Sequence, residues 1–243
     1  MYRAIAARPE VATWVSASWR ETVNGKSHLD GVHPDGSIDI VWDGSALSVF
    51  GPRTRSEAPH ELRTGTFAGV RLRPGSTRAV LGEAAIALAD RTVPLDVLWG
   101  DLARTAALRL EACGPEQTMS ALSSIVAERG RAQSHDPDPL IPRVVELAAL
   151  QRTVRDIAND VGLSRRQLFR RCVDEIGYGP KHLVRVLRLQ RLLGLARRVP
   201  DVSLAGLAAA AGYTDQSHMS RECRALTGVT PGGLVRSQRH LSR

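Results

Sequence analysis

Apolar and polar positions change rhythm along the chain. In residues 37–42, Ile38, Ile40 and Trp42 alternate with Ser37, Asp39 and Val41, the period of a half-buried strand. His33-Pro34-Asp35-Gly36 before them and Asp43-Gly44 after them have turn chemistry. Residues 47–50, ended by Gly51-Pro52, and 67–72, ended by Arg73-Pro74-Gly75, read as further strands, so 28–73 predicts strands and turns. Residues 76–89 predict helix. Residues 101–129 predict two helices broken at Gly114-Pro115.

The segment 130–142 is polar and holds Pro137, Pro139 and Pro142, so it reads as a linker. After it the rhythm is helical throughout. Helices are predicted over 141–150, 154–161, 164–176, 182–199, 203–211 and 215–227, with a last one or two turns at 234–239. Gly162, Gly177, Gly212, Gly228 and Pro200 mark their ends. The expected class is α+β: a small antiparallel β-rich domain with helices at 1–130, then an all-α domain at 138–243.

Charge separates the same two halves. Residues 1–135 hold 15 Lys and Arg against 15 Asp and Glu. Residues 136–243 hold 18 against 10, the whole formal excess of +8. A polyanionic partner is therefore expected for the second half only, although a solvated basic face would look alike. Its cations are arginines apart from Lys181, and its rings are only Phe169, Tyr178 and Tyr213. Single-strand and RNA readers stack bases on exposed rings, and this half has too few for that. Duplex DNA is the polyanion that remains. Cys113, Cys172 and Cys223 are odd in number and widely spaced, which favours reduced thiols. No apolar run reaches the length of a membrane span, and residues 1–10 lack the apolar core of a signal peptide, so the expected location is cytoplasmic.

Within the basic half one local plan occurs twice. Ile157-Ala158 lies on a short predicted helix, Gly162 turns, and Ser164 opens the next helix. Fifty residues on, Leu207-Ala208, Gly212 and Asp215 repeat it. Each alanine lets two helices cross closely, and each glycine can take positive φ. The second helix of each unit then projects polar side chains: Arg165, Arg166, Gln167, Arg170 and Arg171 in one, Gln216, Ser217, His218, Ser220 and Arg221 in the other. A single unit would fit any helical hairpin. Two, joined by one long apolar helix, fit a pair of helix-turn-helix readers.

The second unit, AAAAGYTDQSHMSRECRALTGVTPGGL, resembles the signature of the AraC family of transcription regulators through Gly212-Tyr213, Gln216-Ser217-His218, Ser220-Arg221, Gly228 and Pro231. The first is similar to the family's first unit and linker helix through Ala158, Gly162, Ser164, Leu168, Arg170, Gly177, Pro180, Arg188 and Leu193. The resemblance covers about residues 140–239. It departs from the family where a phenylalanine is usually buried late in each recognition helix; this chain has Cys172 and Cys223, expected to be small core residues.

The resemblance implies sequence-specific regulation of transcription, with both recognition helices in successive major grooves about 34 Å apart. Arg166 and Arg170, with Arg165 beside them, would face bases from the first helix. Gln216, Ser217, Ser220 and Arg221 would do so from the second, with His218 near the edge. Arg171 and Arg224 would meet phosphates. Leu168 and Met219 are expected in the core.

The segments HPDGSIDIVW, FGPRT, GVRLRPG and DRTVPLDVLWG resemble the β-rich N-terminal sensor region of a subset of AraC-type regulators. A neutral domain in front of a DNA reader implies a small-molecule effector, a second copy of the chain, or both; RNA polymerase is a further candidate partner. His28, His33 and His60 have no metal-site spacing, Asp35 belongs to a turn, and Trp42 and Trp99 are expected to fill core. No nucleophile elbow, phosphate loop, zinc-protease motif or Cys-x-x-Cys is present, so no enzyme and no cofactor are expected. Two alternatives are an architectural protein indifferent to sequence and an enzyme domain fused to a DNA reader.

Overall fold

The computed structural model describes residues 2–23, 33–56, 64–199 and 202–240. His28 and His60 lie outside them. Six strands form one antiparallel sheet: β1 (Tyr2–Ala6), β2 (Val15–Val23), β3 (Asp39–Trp42), β4 (Leu47–Phe50), β5 (Gly65–Leu72) and β6 (Thr92–Pro94), in the order β1-β2-β5-β3-β4-β6. Ser18 and Arg20 of β2, Ala68 and Val70 of β5, and Ile40 and Trp42 of β3 share one face by register. On that face, Ile40, Trp42, Val70 and Leu72 meet Leu122, Ile125 and Val126 in one core, and the hydroxyls of Ser18 and Ser123 bond at 2.6 Å.

The helices of this half are α1 (Thr77–Leu81), α2 (Ala85–Leu88), α3 (Asp96–Trp99), α4 (Asp101–Glu111) and α5 (Thr118–Ala132). Four findings correct the sequence reading. Residues 76–89 are two short helices, because Gly82 at φ 79° ends the first in the left-handed region. β1 and β2 precede residue 28. Neither announces itself, since every residue of β1 is exposed and the core-facing side of β2 carries Ser18 and Arg20. β6 and α3 are too short for a period to show. Finally, α5 runs to Ala132, three residues into the expected linker. Trp42 and Trp99 are buried, with the Trp99 indole donating to the Val80 carbonyl at 3.1 Å.

The second half is helical: α6 (Ile141–Ala149), α7 (Val154–Asp160), α8 (Arg165–Ile176), α9 (Pro180–Arg198), α10 (Leu204–Ala211), α11 (Gln216–Thr227) and α12 (Pro231–His240). Its apolar cluster draws only on residues from Ile141 onward, and that of the first half ends at Ala127. Helices α9 and α12 begin earlier than the apolar period announces. Pro180 and Pro231 occupy first-turn positions, where a missing N–H costs nothing.

Candidate nucleic-acid interface

The duplication read in the sequence extends to individual hydrogen bonds. Thr153 caps α7 by accepting from Asp156 N–H, and Ser203 caps α10 by accepting from Gly206 N–H, both at 3.2 Å. At the turns, Leu163 N–H donates to Ala158 and Tyr213 N–H to Ala208, both at 2.9 Å. Gly162 and Gly212 stand at φ 67° and 90°, where an L-residue is strained. Ala158 and Ala208 are 2% exposed, which permits the close helix crossing. The second turn is one residue longer, so Asp215 and not Thr214 caps α11, accepting from His218 N–H at 2.6 Å. Ser164 caps α8 in a reciprocal capping box with Gln167, whose side chain is thereby engaged.

After each recognition helix a left-handed glycine, Gly177 or Gly228, precedes the proline that opens the next helix. Helix α9 is the shared beam. It buries Leu183, Val186, Leu189, Leu192 and Leu193 in the common core. Leu168, Cys172 and Ile176 of α8, and Met219, Cys223 and Leu226 of α11, turn into that core. Burial pushes the Cys172 thiol up to about 12 and Cys223 up to about 11, so both stay protonated and act as small apolar residues.

The outward faces are polar. Arg165, Arg166 and Arg170 of α8 and Gln216, Ser217, Arg221 and Arg224 of α11 are exposed, and Ser220 is half-buried beside them. Two residues of the expected set are engaged elsewhere. Arg171 donates to Asp138 of the linker at 2.5 Å. His218 takes Thr214 N–H on Nδ1 at 3.3 Å, turns Nε2 toward Glu222 at 3.3 Å, and lies edge-on to Tyr213.

Sequence reading missed two things here. Phe169 is 56% exposed between Arg166 and Arg170, with its ring against Gly179. Glu222 ties the second reading head to the beam: Arg188 Nη1 reaches its Oε2 at 3.0 Å and Arg185 Nε its Oε1 at 3.2 Å. Arg188 also donates from Nε to Gln151 at 2.6 Å. The spacing of His218 and Glu222 was the one local signal; the arginine partners come from another helix. Among the described residues, no group of His, Cys, Asp and Glu is disposed to hold a metal, and no helix is long and apolar enough to cross a membrane.

Residues 157–237 match a family described as a helix-turn-helix domain, and residues 3–94 match a domain of unknown function (DUF6597). No curated protein matches the chain. Among solved structures it is similar to ToxT from Vibrio cholerae O395, at 10% identity over 98% of this chain and 98% of that one, with a TM-score of 0.48. It is also similar to the C-terminal domain of AraT, a response regulator from Geobacillus stearothermophilus, at 21% identity over 41% of this chain and 86% of that one, with a TM-score of 0.38. A "probable AraC family transcriptional regulator" from Rhodopseudomonas palustris CGA009 matches at 20% identity over 42% of this chain and 99% of that one, with a TM-score of 0.37. The doubled helix-turn-helix motif and the family match over it show that residues 157–237 form an AraC-type helix-turn-helix domain, the DNA-binding kind found in transcription regulators.

Proposed function

We propose that the chain reads a specific duplex sequence with α8 and α11 in successive major grooves, under the control of a small ligand held by residues 1–130. The observation that carries this reading is the pair of equivalent units, alike down to the turn hydrogen bonds, with both polar faces turned outward from one rigid helix. Arg166 and Arg170 supply guanine-reading forks, Gln216 supplies an adenine-reading amide, and Phe169 between the arginines suits a thymine methyl. Arg224 supplies phosphate contact. The two separate apolar clusters support domains at 1–130 and 138–243. The first domain also pairs two copies of the chain, since Val97, Leu102 and Leu108 stand 71%, 52% and 66% exposed on α3 and α4.

Selection of bound sequences from random duplexes tests the central claim. The expected result is one recurring bipartite site, with its halves about one helical turn apart, that outcompetes random DNA at fixed salt. Equal affinity for all sequences would leave a basic architectural protein instead.

A further inference from the structure

The sheet has a second face, turned away from α5. Register places Trp19 and Glu21 of β2, Phe67, Gly69 and Arg71 of β5, Asp39 and Val41 of β3, and Phe50 of β4 on it. Gly69 lies directly under the Trp19 indole; a Cβ there would stand 2.3 Å from the ring, so its absence lets the indole lie flat across the strand. A cavity of about 210 Å³ opens on this face. A void of about 150 Å³ is enough for benzene. Its walls are Trp19, Phe67, Phe50 and Val41, and its polar edge carries Glu21, Asp35, Asp39, Arg53 and Arg71.

Charge in the cavity is unbalanced. Three carboxylates face two guanidiniums, and Arg71 is shared: Nε and Nη2 bond Asp39 at 3.1 and 3.2 Å while Nη2 also meets Asp35 at 2.9 Å. Burial raises the Asp39 carboxyl above its ordinary value in spite of Arg71. Aromatic faces beside excess carboxylate favour a cation.

The two loops that rim this cavity also hold the DNA-binding half. Loop 33–37 contributes Asp35 and Ser37 to the cavity, and its Pro34 carbonyl accepts from Gln190 of α9 at 2.7 Å. Loop 51–56 contributes Gly51 and Arg53. In the same loop, Pro52 packs on Gly177 at the end of α8, and the Thr54 carbonyl meets His182 Nε2 of α9 at 3.0 Å. Ser56 N–H donates to Leu226 of α11 at 2.7 Å. His33 Nδ1 and Ser56 Oγ, 2.7 Å apart, join the two loops. One loop thus touches both reading helices and the beam between them.

We propose that this cavity is the effector site, that it takes a flat aromatic molecule bearing a protonated amine, and that occupancy acts on DNA binding through loops 33–37 and 51–56. The proposal rests on the reading of the chain as a ligand-controlled regulator and names the ligand class and the route. A ligand that wedges between Phe50 and Trp19 or draws Asp35 from Arg71 moves the rim, and the rim sets where α8, α9 and α11 sit.

Three probes with one ring system separate the chemistry: tryptamine, indoleacetate and tryptophol, titrated calorimetrically into the full chain. Tryptamine should bind at least about tenfold more tightly than the other two, and Glu21→Gln and Asp39→Asn should each weaken it by about tenfold, the loss of one charge-assisted contact. Thermal melts check that each variant is folded; if Asp39→Asn loosens the sheet, Glu21→Gln decides alone. Equal binding of indoleacetate or tryptophol, or no binding of tryptamine, overturns the ligand class. Tryptamine should also shift affinity for the selected duplex, and Gln190→Ala with His182→Ala should abolish that shift while keeping tryptamine binding. Binding without any shift overturns the route. Duplex affinity without tryptamine reports on the DNA-reading proposal separately.

Discussion

At the scale of single residues, the proposed reading divides the two helix-turn-helix units into side chains that choose a sequence and side chains that hold the units in place. Arg166→Ala or Gln216→Ala should cost about 1–3 kcal/mol in binding and relax preference at one or two base positions. Arg224→Ala should weaken all sequences alike and lower the salt slope by about one. Quantitative binding to the selected site and its mismatches, at several salt concentrations, distinguishes the two classes. Identical behaviour of the three variants would refute this division of roles. Glu222 belongs to the holding set. Its side chain and that of Arg188 are 13% and 14% exposed, so Glu222→Ala leaves a largely buried guanidinium without its carboxylate. The expected loss is about 2 kcal/mol in chemical denaturation.

At the scale of elements, turns and helix ends carry the argument. Nothing lies within 4 Å of a Cβ built on Gly162, so Gly162→Ala meets no clash; its cost is the positive φ alone. About 1–2 kcal/mol of stability should go, measured by denaturation, with base preference unchanged. Helix α1 has no side-chain cap of its own. Glu175 of α8 supplies one across the two halves: Thr77 N–H donates to its carboxylate at 3.1 Å, and the Thr77 hydroxyl donates to its carbonyl at 2.8 Å. Burial outweighs those bonds and pushes the Glu175 carboxyl up to about 7 from 4.5. A raised value in the folded state means that burial favours the protonated form, so the stability linked to this carboxyl is full below 4.5 and is lost as pH rises from there through about 7. The melting temperature should fall over that interval, and Glu175→Gln should flatten the fall. An unchanged slope in the variant would assign the titration to another group.

At the scale of the whole molecule, charge and packing separate two units that the loops then tie together. A fragment 136–243, which carries the entire charge excess and its own apolar cluster, should bind duplex DNA unaided, and a fragment 1–135 should not. Electrophoretic or fluorescence titration of the two fragments checks this, and DNA binding by the first fragment would contradict it. The full chain should scatter light as a dimer at micromolar concentration. Leu102→Lys with Leu108→Lys should return it to a monomer, because both side chains stand exposed on α4. A monomer before substitution would exclude pairing through this face.

The doubled helix-turn-helix plan was legible without coordinates because its signals are local: glycine where φ must be positive, alanine where helices cross, Ser164 and Asp215 where helices begin. The same holds for the charge asymmetry and for the strands at 39–42 and 47–50, where Ile40, Trp42, Leu47 and Val49 alternate into one core, although Val41 on the other face is buried too. Only the tertiary structure decided the rest. β1 and β2 have no clean alternation, because an edge strand buries neither face and the core accepts Ser18 when Ser123 meets it. Glu222 finds Arg185 and Arg188 from a helix more than thirty residues away, a pairing that no period records. Asp35 reads as a turn residue, and it is one, bonding the N–H and hydroxyl of Ser37. That its other oxygen meets Arg71 at the rim of a cavity, on a loop that grips α9, follows from strand order and domain packing, where contacts depend on what folds nearby and not on what stands adjacent in the chain.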